Sequence, residues 1–303
     1  MSLRLTLRAW PFPPGMEAEA PDLLPERLAG LSREKIGALP VRVGRRTERL
    51  GDLVDVDGAP GAAASADHGA GRAFVLSGDL RPFARLGAGM TAGRMIVEGH
   101  AGPCAGAGMR GGRLEIEGDA GRRAGEGMTG GILVVRGSAG DDLGGAGPAA
   151  ARGLNRGAIF VAGNAGARAG RRMRRGLIAI GGEAGPLLGT EMLAGTIVVL
   201  GRAGDGAGTW MRRGTIVLGA GPVPSSPAFA AAGSLRFSFW SLYDEALRAA
   251  GVPLPESWRG GRFRRFVGDR SGAGLGEILV PPEDGDVLRP ARPERRTSCT
   301  TRP

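Results

Sequence analysis

The chain has 303 residues, enough for one large or two modest domains, and its 57 glycines, 21 prolines and 5% aromatics argue against a conventional aromatic-packed core. A formal net charge of +10, in which Lys35 is the one lysine among 40 basic residues, favours an acidic partner: nucleic acid, a polyanionic cofactor or an acidic protein surface. Cysteine is confined to Cys104 and Cys299, which argues against a disulfide framework, and no apolar leader or run of 18 apolar residues occurs, so a cytoplasmic chain is expected.

Residues 3 to 10 (LRLTLRAW) alternate in the manner of a strand. Residues 22 to 39 contain a short helix signal, with Ser32 placed to cap Arg33–Leu39. Val41–Val43 and Leu50–Val56 lead toward the region that dominates the chain. His68, beside Asp67, lies in an Ala/Gly-rich loop and carries no motif.

From residue 87 a glycine-heavy phrase recurs. Its methionine falls at Met90, Met109 and Met128, is replaced by Leu154, and returns at Met173, Met192 and Met211. The spacing is 19 residues throughout except between Met128 and Leu154, where the seven residues GGAGPAA (144–150) read as an inserted loop. Five places after this position stand Met95, Leu114, Leu133, Ile159, Ile178, Ile197 and Ile216; seven places after it stand Val97, Ile116, Val135, Val161, Ile180, Val199 and Leu218. The place between is mixed (Ile96, Glu115, Val134, Phe160, Ala179, Val198, Val217), which predicts a short strand with one buried face. Eleven places on, Ala101, Ala120, Ala139, Ala165, Ala184 and Ala203 form a small-residue column.

Strict columns at a fixed spacing mean that equivalent residues stack, because no single unit can bury its apolar face alone. The expectation is an all-β protein: a parallel β-helix of about seven 19-residue coils with small α/β capping segments. A left-handed hexapeptide helix would repeat at 18 with a six-residue subperiod, which is absent. A dinucleotide-binding glycine loop needs one strand–turn–helix context, not seven copies on strands. After Met211 the repeat degenerates at GAGPVPSSPAFAAAG, and SLYDEALRAAG (241–251) predicts a helix ending at Gly251. The chain therefore divides into an N-terminal cap (1–70), the repeat region (71–222), a C-terminal cap (223–280) and a charged, proline-rich tail (281–303) expected to be disordered.

No catalytic set and no metal site can be assembled from the sequence. His100 shares its column with Asp119, Ser138, Asn164, Glu183 and Arg202, as at a solvent-facing corner; Cys104 shares one with Arg123 and Asp142 and reads as surface. Asp141, Asp142 and Asp205 read as solvated turns. One surface stands out: Arg152, Arg156, Arg171, Arg172, Arg174, Arg175, Arg212 and Arg213 crowd the methionine corner of later units, close enough to repel unless something acidic answers them. Nucleic acid is a poor candidate, because Phe160 and Trp210 are the aromatics that the repeats offer for base stacking.

The run PERLAGLSREKIGALPVRVGRRTERLGDLVDVDG, the repeated GxGM…AG phrase and the closing FVGDRSGAGLGEILV together resemble the C subunit of formylmethanofuran dehydrogenase and its counterpart in the bacterial formyltransferase/hydrolase complex. The repeats also resemble the C-terminal domain of the glutamate synthase large subunit, although a stand-alone relative of that enzyme would be expected beside amidotransferase and synthase domains. The resemblance implies a right-handed β-helix acting as a scaffold, with chemistry in partner chains: an amidohydrolase-like A subunit, a B subunit and a formyltransferase D subunit. It implies no cofactor bound by this chain alone, a methanofuran-type carrier with glutamyl units and metal ions in the partners, and transfer of a formyl group from a tetrahydromethanopterin-type carrier with release of formate. The archaeal alternative places the same type of chain in a molybdenum or tungsten enzyme; the Arg-for-Lys, Ala/Gly-rich composition favours the bacterial complex.

Overall fold

The computed structural model describes residues 3–58, 73–220, 228–236, 240–258, 262–272 and 274–281. The repeat reads directly into strand register. Leu114 pairs with Met95 and Leu133, Ile159 with Leu133 and Ile178, and Ile197 with Ile178 and Ile216, all in parallel. Every residue of this column and of the methionine column is 0–1% exposed. Burying a leucine-sized side chain contributes roughly 2 kcal/mol, so stacking is the dominant favourable effect in this region.

The stack extends beyond the repeats. Phe74–Ser77 and Leu3–Leu7 continue the parallel ladder before the first repeat, through Met95–Phe74 and Phe74–Leu3, and Leu275–Val280 continues it after the last, through Ile216–Ile278. Strand formation at 3–10 stops at Leu7. Antiparallel strands flank both ends: Val54–Asp57 lies on Leu3–Leu7, and Arg262–Gly268 followed by Ala230–Arg236 lies on Leu275–Val280. Among the described residues the result is one 13-stranded sheet with a separate four-stranded sheet near the N-terminus.

Units also touch away from the strand. The alanine column forms single parallel bridges from Ala101–Ala120 through to Ala184–Ala203, since a methyl group lets backbones approach where a larger side chain would not. At the methionine corner the next unit's backbone donates to the previous carbonyl, as Arg174 N does to Leu154 O at 2.9 Å.

Among the described residues, the non-glycine residues with positive φ all stand in two columns. Arg85, Cys104, Arg123, Asp142, Arg168 and Leu187 lie five places before the methionine position (Asp142 by the 19-residue count), and Arg172, Glu191 and Trp210 lie one place before it. The backbone needs the left-handed conformation there, one that glycine adopts most freely, and Gly89, Gly108 and Gly127 supply it in the early units.

Ser32 caps the helix Arg33–Gly37, its Oγ accepting from Lys35 N at 3.3 Å. Leu50–Leu53 is a helical turn that buries Leu50 and Leu53, and the strand begins only at Val54. The C-terminal helix spans Trp240–Ala249 and ends on Gly251 at φ +83°, with Gly251 N donating to Arg248 O and Val252 N to Leu247 O, a paired closure that satisfies the last carbonyls.

The helix corrects one expectation. Leu247, Ala250, Val252, Leu254, Trp258 and Phe263 pack over Val134, Phe160, Ala179, Val198 and Val217. The mixed column is therefore apolar and covered by this segment from the third repeat onward, and Glu115 of the second repeat is buried as well, so both faces of those strands are covered. His68 and positions 282–303 lie outside the described residues.

Candidate arginine surface

At the methionine corner the chain turns outward, and the two residues after the buried side chain reach solvent. Arg174–Arg175 and Arg212–Arg213 occupy those places two units apart, roughly 10 Å at the usual interstrand spacing, with Leu193–Ala194 on the unit between. Arg156 stands one unit before Arg174–Arg175, and Arg152 precedes Gly153, whose N–H donates to Arg172 O at 2.9 Å.

The eight arginines divide into two kinds. Arg171 donates to Asp142 Oδ1 at 3.3 Å and to Ala146 O at 2.6 Å; Arg172 donates to Glu191 Oε2 at 2.6 Å and to Ala150 O at 3.3 Å. These two guanidinium groups hold the inserted loop 144–150 against the stack, and the chain's own carboxylates balance their charge. The sequence-based expectation that all eight await an acidic partner is corrected for this pair. Arg152, Arg156, Arg174, Arg175, Arg212 and Arg213 form no ion pair among the described residues, and all but half-buried Arg174 are exposed. Their separations fall near a Debye length, so their potentials add.

Beside them Trp210 is 65% exposed. It borders a groove of about 930 Å³ whose walls include Arg172, Glu191, Leu193, Arg212 and Ser271. In the sequence Trp210 is only an aromatic; its exposure and its left-handed backbone, at φ +58°, are features that residue type does not reveal.

The remaining chemistry-bearing residues serve the fold. The first four residues of the His100 column share a function though not a shape. His100 Nδ1 accepts from Asp119 N, Asp119 Oδ1 from Ser138 N, Ser138 Oγ from Asn164 N, and Asn164 Oδ1 from Glu183 N, at 2.7–3.1 Å. Each side chain thus caps the backbone of the next unit. Cys104 is not surface: it is 9% exposed, at φ +59°, with Sγ 4.0 Å from Glu126 Oε2, and burial raises its thiol pKa. A thiol so placed is a poor nucleophile. Asp142 is not a solvated turn either. Burial pushes its carboxyl up, but Arg168 at 2.8 Å and Arg171 outweigh this and hold it below the usual range. Asp141 Oδ1 accepts from Ala167 N at 2.8 Å, and Asp205 is exposed. No group of three metal-ligating side chains occurs among the described residues, and no described helix is long and apolar enough to cross a membrane.

The GXGXG motif family model matches residues 94–220. Over 87 residues the chain is 37% identical to the C subunit of tungsten-containing formylmethanofuran dehydrogenase 2 of Methanothermobacter thermautotrophicus, and 35% identical to the C subunit of molybdenum-containing formylmethanofuran dehydrogenase 1 of Methanosarcina barkeri. These matches span 29% of this chain and under a third of those relatives, 30% and 27%. A solved structure, the formyltransferase/hydrolase complex from Methylorubrum extorquens in complex with methylofuran, contains a chain 35% identical to this one. The superposition has a TM-score of 0.79 and covers 92% of this chain and 99% of that one.

Proposed function

The chain belongs to the family of formylmethanofuran dehydrogenase C subunits, and from that premise we propose that it is a structural subunit of a cytoplasmic formyltransferase/hydrolase complex. The observation that carries this reading is the near full-length likeness to a chain of the Methylorubrum extorquens complex. The stacked units form a right-handed parallel β-helix of seven 19-residue coils, flanked by N-terminal (1–70) and C-terminal (223–280) caps, and the rigid stack presents surfaces to the other subunits. Formyl transfer to a methanofuran-type carrier and release of formate belong to the partners, an amidohydrolase-like A subunit with B and a formyltransferase D, which also hold the metal ions. Among the described residues, Glu115, Asp142 and Glu191 are held in ion pairs and His100 and Asp119 accept from the next unit's backbone, which supports a non-catalytic role for these groups.

The exposed arginines meet acidic groups of a neighbouring subunit or the glutamyl units of the carrier. Single exposed ion pairs are worth about 0–1 kcal/mol, so several acting together are required. A redox molybdenum or tungsten complex is the second reading, favoured by the names of the curated relatives. Co-expression with the partner subunits, followed by an assay without any electron acceptor, separates the two: formate release without an acceptor supports the hydrolytic complex, and strict dependence on an acceptor supports the redox one.

A further inference from the structure

We infer that Trp210 and its groove form a docking surface for an acidic segment of a partner subunit, an inference that rests on the scaffold reading above. The starting point is the column one place before the methionine. The early units fill it with Gly89, Gly108 and Gly127 at φ 73°, 64° and 60°, and the later ones with Arg172, Glu191 and Trp210 at φ 55°, 55° and 58°. A side chain in the left-handed region is disfavoured, so each departure from glycine calls for a compensating interaction. Arg172 and Glu191 find it in each other, at 2.6 Å. Among the described residues Trp210 gains nothing comparable: it is 65% exposed, and its ring makes no hydrogen bond or ring contact there.

The backbone beneath the ring is nonetheless pinned. Trp210 N donates to Asp269 Oδ2 at 2.8 Å, and Asp269, itself 3% exposed, also accepts from Ser271 N at 2.8 Å and Ser271 Oγ at 2.6 Å. A large exposed aromatic on a pinned backbone, at the wall of a groove of about 930 Å³, has the make-up of an interface anchor, where Trp and Arg are the enriched residues. Charge selects the occupant. Arg212 lines the groove, and Arg152, Arg174, Arg175 and Arg213 on the same corner have no ion pair among the described residues. A second copy of a chain with net charge +10 meets that corner with like charge; a segment bearing carboxylates next to an apolar side chain satisfies both the guanidinium groups and the indole.

Trp210→Gly tests this, because it installs the residue that the early units use and removes the backbone cost. The isolated variant should melt no lower than the wild type. Its affinity for the co-expressed complex of the other subunits should fall at least ~tenfold, with Trp210→Phe intermediate, and assembly of the wild type should protect 208–213 and 269–272 from hydrogen exchange. Wild-type-like affinity of Trp210→Gly with unprotected 208–213 overturns the docking surface alone. Self-association of the isolated chain that Trp210→Gly abolishes overturns the acidic partner in favour of a second copy. Failure of the wild type to join the other subunits overturns the scaffold reading and the docking surface together.

Discussion

Glu115 stands in a column whose neighbouring units carry Ile96 and Val134, and it is tolerated there because three arginines converge on it. Arg94 lies at 2.6 Å, Arg113 at 2.9 Å and Arg136 at 3.9 Å, while the Glu115 side chain is 5% exposed. Burial pushes its carboxyl up; the hydrogen bonds and charges of Arg94 and Arg113 outweigh that and leave it below the ordinary value. A carboxylate depressed in the folded state adds stability above its unfolded pKa of about 4.3, and that stability is lost as pH falls through the folded value. Between pH 5 and pH 3 the melting temperature of the wild type should therefore fall more steeply than that of Glu115→Gln; parallel slopes would show that the cluster is not coupled to folding. At neutral pH, Glu115→Ala should cost about 2 kcal/mol in denaturant unfolding, below the full value of a broken buried pair because the arginines remain partly solvated.

The arginines separate by the same logic. Arg171→Glu places a carboxylate against Asp142 and releases Ala146 O, so the isolated chain should lose about 1–3 kcal/mol. Reversing Arg174, Arg175, Arg212 and Arg213 to Glu should leave its melting temperature nearly unchanged yet weaken assembly, and added salt should weaken the wild type in the same way. Normal assembly of that reversed variant at low salt would reduce the corner to a solvated face. In the sequence these residues look alike; only the three-dimensional path of the inserted loop tells a clamp from a free cation.

At the scale of elements, the strands were legible because burial imposes a period, and chemistry does so too once it is recognised. Ile178 is 0% exposed between Ile159 and Ile197, so Ile178→Asp should abolish soluble folding through an unpaired buried charge; a soluble variant with the wild-type far-UV spectrum would contradict the register. The covering of the outer face was harder to read. Val134, Phe160, Ala179, Val198 and Val217 form an apolar run consistent with strands buried on both sides, but Glu115 interrupts the column and made it look mixed. Nothing local in 240–258 states where that helix docks. Since Leu247 is 0% exposed against this face, Leu247→Ala should cost about 2–4 kcal/mol without unfolding the stack, measured as a lower denaturation midpoint. Likewise the His100 column disguised a shared role, since histidine, aspartate, serine and asparagine differ in shape while all offer an acceptor to the next backbone N–H.

At the scale of the whole molecule, the stack runs from Leu3–Leu7 to Leu275–Val280, which is longer than the repeats alone. Phe74–Ser77 and Leu275–Val280 are hard to place in the stack from sequence because they carry short buried apolar runs without the methionine phrase that marks a unit. On this stack Arg175, Arg212, Arg213 and Trp210 are exposed, whereas Glu115, Asp142 and Glu191 are held in internal ion pairs. The most direct test of the central claim is formate release measured on the purified chain, on the partner subunits without it, and on all of them together. The scaffold reading expects no turnover from the chain alone and full activity only from the assembled complex. Turnover by the chain alone, or partner subunits that assemble and work equally well in its absence, would contradict it.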